Sequence, residues 1–203
     1  MADKTTIVNR ALSLIGSEPI NNLTDDTPEA QIANRMYEES RRSILSECLW
    51  NFAAKRVNLV ALAETLPWSL DSVKNVFQLP ADIIRIFGTS SRSAVWRKEQ
   101  DRLITDVTSI GIIYVFNLED TTKFSSSFVD AFSDKLAADM SFTTLNSGTN
   151  AQKMVEKYDG VSLPKAMAEN SQEGTPPQVK DDLWSYARFG FSPVGRSGII
   201  VGS

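Results

Sequence analysis

The sequence predicts an α+β fold, mainly α: a body over 1–170, made of a helical bundle with a β-rich insert, and an extended C-terminal arm over 171–203. Three observations predict it. Apolar residues recur at three- and four-residue steps near the start of the chain and again after residue 120, the period of helices with one buried face. Between Trp50 and Phe116 that period gives way to short runs rich in Val, Ile and Phe, separated by turn residues. From Ser171 onward, half of the ten glycines and three of the eight prolines fall in one stretch, too many breakers for a continuous helix or a central strand.

The elements follow in order. Residues 5–15 read as a short helix whose apolar face is Ile7, Val8, Ala11, Leu12, Leu14 and Ile15, with Gly16 as its stop and Pro19 beyond. Thr27-Pro28-Glu29 announces a second helix: a capping hydroxyl, a proline where a missing N–H is harmless, and an acid in the first turn. Its buried stripe is Ala33, Met36, Tyr37, Ser40, Ile44 and Cys48, it should run to about Leu49, and Glu38 and Arg42 form a solvated pair on its outer side. Strand-like runs then cover 56–62, 76–79, 83–87, 94–97, 102–105 and 110–116, a small antiparallel sheet or paired hairpins, with 61–64 equally able to extend a helical turn. Next, Phe124, Phe128, Phe132, Leu136 and Met140 repeat every four residues, the core stripe of a long helix ended by Asn146-Ser147-Gly148. A last helix starts over 151–158 and is interrupted by Gly160 and Pro164. The bundle thus takes 1–50 and 120–168, and the insert 51–118.

Composition narrows the chemistry. The 203 residues contain no histidine, which excludes within one chain a Ser-His-Asp or Cys-His arrangement, a histidine proton shuttle and histidine-containing metal sites. The single cysteine, Cys48, lies in Leu45-Ser46-Glu47-Cys48-Leu49-Trp50 without a base partner and reads as a small buried hydrophobe, with no internal disulfide to form. The adjacent acids Asp25-Asp26 and Asp181-Asp182, the pair Ser90-Ser91 and the run Ser125-Ser126-Ser127 read as caps and surface groups. Gly190, Gly195 and Gly198 follow no buried strand and make no phosphate loop. The expectation is a non-enzyme with no catalytic residues, no cofactor and no metal.

Net charge is −4, and basic residues cluster only at Arg41-Arg42 and loosely at Arg92, Arg97, Lys98 and Arg102, so tight DNA binding is not expected. The polar opening residues and the absence of a long apolar run point to a soluble, non-secreted protein without membrane contact. The arm carries Trp184, Tyr186, Phe189 and Phe191, four aromatics that a solvated linker does not need. They suit docking onto a neighbouring subunit or another protein; the alternative is an arm folded over its own body.

Beyond the residue chemistry, a set of blocks in order resembles the tail tubular protein A family. They are Arg10-Ala11-Leu12-Ser13-Leu14-Ile15-Gly16, Leu49-Trp50-Asn51-Phe52-Ala53, Leu79-Pro80-Ala81-Asp82, Leu103-Ile104-Thr105-Asp106 and Tyr114-Val115-Phe116. Phe124, the Phe128-Val129-Asp130-Ala131-Phe132 helix, Gln172-Glu173-Gly174 and the run from Asp181 to Arg188 continue the likeness. The resemblance implies a head-to-tail adaptor of short-tailed, podovirus-type bacteriophages. It implies a homo-oligomeric ring of twelve subunits between portal protein and tail nozzle protein, in a virion assembled in the host cytoplasm, with DNA passing through the channel without tight binding. Two other readings compete: a carboxylate-based tail-associated hydrolase, which needs two acids facing across a cleft about 5 to 9.5 Å wide, and a connector of a long-tailed phage. The segment after Phe189 matches no family pattern.

Overall fold

The computed structural model describes residues 3–63, 66, 68, 74–144 and 148–174. Helix α1 (Lys4–Ile15) opens on Asp3, whose carboxylate accepts the Thr6 N–H at 2.7 Å. It closes on Gly16, at φ 73°, where a side chain would be strained, and the glycine N–H reaches back to the carbonyls of Leu12 and Ser13. Helix α2 (Pro28–Glu47) starts as its sequence announces, with Thr27 Oγ1 accepting the Ala30 N–H at 3.3 Å. It stops short of Leu49: Cys48 turns to extended backbone, and the Trp50 indole N–H donates to the Ile44 carbonyl at 2.9 Å, capping a group that the ending helix frees. A single 3₁₀ turn, Asn51–Ala53, leads into the insert.

Among the described residues the insert holds seven strands: β1 (Ala54–Asn58), β2 (Val60–Leu62), β3 (Asn75–Gln78), β4 (Ile83–Thr89), β5 (Trp96–Glu99), β6 (Arg102–Thr105) and β7 (Gly111–Phe116). They form two antiparallel sheets, a first of order β1-β7-β4 and a second of order β2-β3-β6-β5. Helix α3 (Ser126–Thr144), α4 (Gly148–Lys157) and α5 (Leu163–Gln172) return the chain to the bundle. The expected α+β architecture, mainly α, is therefore present.

Alternation along β7 explains how the layers stack. Val115 is buried in the helical core with Ile7, Leu12, Ile44, Trp50, Phe128 and Phe132, while Ile112 and Tyr114 are buried with Phe77 and Leu103 of the second sheet and with Leu79 just beyond β3. The first sheet is thus the middle layer, helices on one face and the second sheet on the other. Aromatic rings knit the helical side: Trp50 and Phe52 meet Phe128 edge-on at centroid distances of 5.0 and 4.9 Å, and Tyr37 meets Phe132 at 5.1 Å.

Two expectations are corrected. Glu38 does not pair with Arg42. It takes the guanidinium of Arg41, a fully buried side chain that also donates to the Leu118 carbonyl, and it lies 3.4 Å from Lys4 Nζ. Arg41 shares the inner face with Tyr37 and Ile44, one turn away on each side, so its stem is packed and its charge must find partners inside. The second concerns the form of the interruption in the last helix: the α-helix gives way at the expected place, between α4 and α5, but the chain stays helical. At Gly160 the chain widens into a π turn, Tyr158–Ser162, in which the Leu163 N–H bonds the Tyr158 carbonyl, and α5 then begins with Pro164 in its first turn. The wider turn relieves the clash between a proline ring and the preceding turn, so the breaker sits at a helix start instead of a stop.

Candidate assembly surface

The acids and serines singled out in the sequence serve local structure. Asp25 Oδ2 accepts the N–H groups of Asn21 and Asn22, both at 2.9 Å, and Asp26 Oδ1 accepts from the Gln31 side chain at 2.9 Å. Ser125 Oγ accepts the Phe128 N–H at 3.3 Å at the start of α3, a cap, whereas Ser90 Oγ accepts the Gly111 N–H at 2.9 Å and joins β4 to β7. Cys48 is half-buried, and that burial pushes its thiol up, away from the thiolate a nucleophile needs. Among the described residues, no three His, Cys, Asp or Glu side chains are grouped to hold a metal ion, and no helix is long and apolar enough to cross a membrane.

The blocks that carry the family likeness meet in pairs. Arg10 on α1 forms an ion pair with Asp130 on α3. Asp82 accepts from Lys55 Nζ at 2.6 Å and from the Tyr114 hydroxyl at 3.1 Å, joining the turn before β4 to β1 and β7. Burial raises the Asp82 carboxyl, but the bonds from Lys55 and Tyr114 outweigh it and hold the group below its ordinary value. Tyr114, buried and donating to that carboxylate, is pushed up to about 12. At the far end of the chain, Asn51 and Asn170 clamp each other. The Asn51 N–H donates to Asn170 Oδ1 at 2.8 Å, Asn51 Nδ2 to the Asn170 carbonyl at 2.7 Å, and Asn170 Nδ2 to the Leu49 carbonyl at 3.0 Å. Glu173 adds a contact from Asn51 Nδ2 at 3.2 Å. The clamp fixes the last turn of α5, in which the segment 171–203 begins, against the turn that enters β1.

What remains for recognition is surface. A trough of about 480 Å³ crosses the first sheet where β1, β7 and β4 pass, lined by Arg56, Asn58, Thr89, Ser90, Gly111 and Ile113 among others. A smaller cleft of about 300 Å³ lies between α2 and α3, where Ser40 Oγ and Lys135 Nζ both donate to Asp139, at 2.6 and 2.7 Å, beside the exposed Phe142. Large apolar side chains also stand out at Val60, Val95, Trp96 and Val161. Trp184, Tyr186, Phe189 and Phe191, and the pair Asp181-Asp182, lie outside the described residues.

Among the described residues, the candidate acids and serines cap turns and join strands, and the remaining surface features are two clefts and scattered exposed apolar side chains. Residues 6–104 match the family model described as Tail tubular protein, a stretch that runs from α1 to within β6. That likeness supports a structural component of a phage tail. No curated protein matches the chain.

Proposed function

We propose that this chain is the head-to-tail adaptor subunit of a short-tailed phage. About twelve copies close into a ring between portal and tail nozzle, as the family resemblance implies and as repetition of one heterologous contact allows. The ring encloses the channel through which the genome leaves, it performs no catalysis, and it resides in the virion at the portal–tail junction after assembly in the host cytoplasm. The arm over 171–203 docks Trp184, Tyr186, Phe189 and Phe191 into a groove of a neighbouring subunit or of the portal, because aromatic anchors dominate interfaces of this kind. The observation that carries the reading is the match of residues 6–104 to the tail tubular model.

The test is to mix the full chain with purified portal rings and image the product by electron cryomicroscopy, with native mass spectrometry for stoichiometry. A second ring stacked on the portal is the expected result. A chain that stays monomeric both alone and with portal would sink the proposal.

A further inference from the structure

The first sheet extends past the helices that cover it. Val115 of β7 is buried in the helical core, and side chains two residues apart on a strand share a face, so Ile113 and Gly111 lie on the same helix-facing side. Their partners across the ladder share that side: Arg56 lies opposite Ile113, and Asn58 opposite Gly111. Here the cover runs out. Ile113 is half-buried, Arg56 and Asn58 are exposed, and the trough of about 480 Å³ opens over them. Its floor at Gly111 is bare backbone, and a glycine within a strand marks a place where another group can approach closely.

Charge says what can cover it. The insert, 54–116, carries eight Lys and Arg against six Asp and Glu, whereas the rest of the body, 1–53 and 117–173, carries ten against seventeen. Arg56 brings to the trough a guanidinium with no ion-pair partner among the described residues. The cleft between α2 and α3 is its counterpart. Asp139 there is already taken by Ser40 and Lys135, but Glu39 is exposed and also has no ion-pair partner among the described residues. Beside it stands Phe142, 62% exposed.

The two patches suit each other. A guanidinium pairs with a carboxylate and lies well against an aromatic ring, and Ile113 offers that ring apolar surface. The corner that carries Glu39 and Phe142 is helical, as is the layer that already covers Val115 on the same face of the sheet. Set over the trough, it continues the helical layer from one copy to the next. The contact joins two different surfaces of one chain, so it is heterologous and repeats around a ring.

We propose that the α2–α3 corner of a second copy covers the trough, with Phe142 against Ile113 and Gly111 and with Glu39 paired to Arg56. The inference rests on the ring proposed above and names the surfaces that build it.

Charge exchange in the full chain tests the contact. Arg56→Glu and Glu39→Arg each set like charges together and should lower the yield of portal-bound rings by at least about tenfold. The double substitution restores opposite charges and should recover the yield, with the melting temperature of the free subunit unchanged in all three. Single variants that assemble at the parental yield, or a double variant as poor as either single, overturn the contact. A second reading does not depend on those variants folding: in a Cys48→Ser background, Asn58→Cys is labelled with benzophenone maleimide, assembled on portal, irradiated and digested. Covalent dimers joined through peptides of α2 or α3 are expected. Label on peptides from 175–203 or from the portal assigns the trough to those occupants, which overturns the pairing and leaves the adaptor reading standing; a parental chain that forms no ring overturns both.

Discussion

Arg41 joins three parts of the chain at a single buried guanidinium: its own helix through Glu38, α1 through the Glu38 contact with Lys4, and the connection from β7 to α3 through the Leu118 carbonyl. Arg41→Ala strands a buried carbonyl and removes packed methylenes, so it should cost about 2 kcal/mol or more. Arg42→Ala, on the solvated side, should stay within about 0.5 kcal/mol. Urea denaturation of the two variants separates them, and equal losses would contradict the buried role. Tyrosines set a second expectation. Burial raises the phenols of Tyr37, Tyr114 and Tyr158, and Tyr114 also donates to Asp82. A folded-state value above the unfolded one means that the neutral phenol is favoured by folding, so this contribution is whole below about pH 10 and falls as pH climbs toward about 12. Denaturation midpoints measured across that window should fall in the parent, and less in Tyr114→Phe. Arg41 was legible in principle, since Tyr37, Arg41 and Ile44 lie on one helical face, but the apolar stripe read from the sequence leaves it out.

Among the elements, some strands were readable and others were not: the run 56–62 divides between β1 and β2, which belong to different sheets, and 94–97 overlaps only half of β5. The run 102–105 coincides with β6 and 110–116 nearly with β7, because bounded stretches of β-branched residues have few other uses. Two further things were not readable. Gly160 and Pro164 look like breakers in any one-dimensional reading, and only the widened turn, tied to α3 by Lys157 and Ser162 donating to Asp134, shows how a helix accommodates them. The Asn51–Asn170 clamp joins residues 119 apart in sequence, where no local signal exists. The two glycines make opposite predictions. Gly16→Ala forces a side chain into a left-handed backbone and should destabilise by about 1 kcal/mol. At Gly160, nothing lies within 4 Å of an added Cβ and φ is not positive, so Gly160→Ala should be neutral or stabilise by up to about 1 kcal/mol. Thermal melts of both variants check this; a stabilised Gly16→Ala would refute the cap.

For the whole molecule, the decisive division is between the body and the arm. Truncation after Glu173 keeps the Asn51–Asn170 clamp and should leave a folded body that joins the portal poorly, with Trp184→Ala a milder form of the same defect. An arm that instead covers its own body predicts a large loss of melting temperature and normal portal attachment, and measuring both on the truncated chain decides between them. The aromatics of the arm stand out in the sequence as a chemical oddity, and they lie outside the described residues. The family likeness, by contrast, was carried by blocks that pair in space, such as Arg10 with Asp130 and Asp82 with Tyr114.

The strand β7 contributes Val115 to one core and Ile112 and Tyr114 to the other. Neither core can loosen while the other stays intact, because the same backbone would have to be held and released together. The body should therefore melt in one cooperative transition, with the amides of β7 the last to exchange with solvent and no partly opened species in which sheet and bundle part company. If the proposed ring closes around a moving genome, that shared strand turns a local push on the sheet into a load borne by the whole body of the subunit.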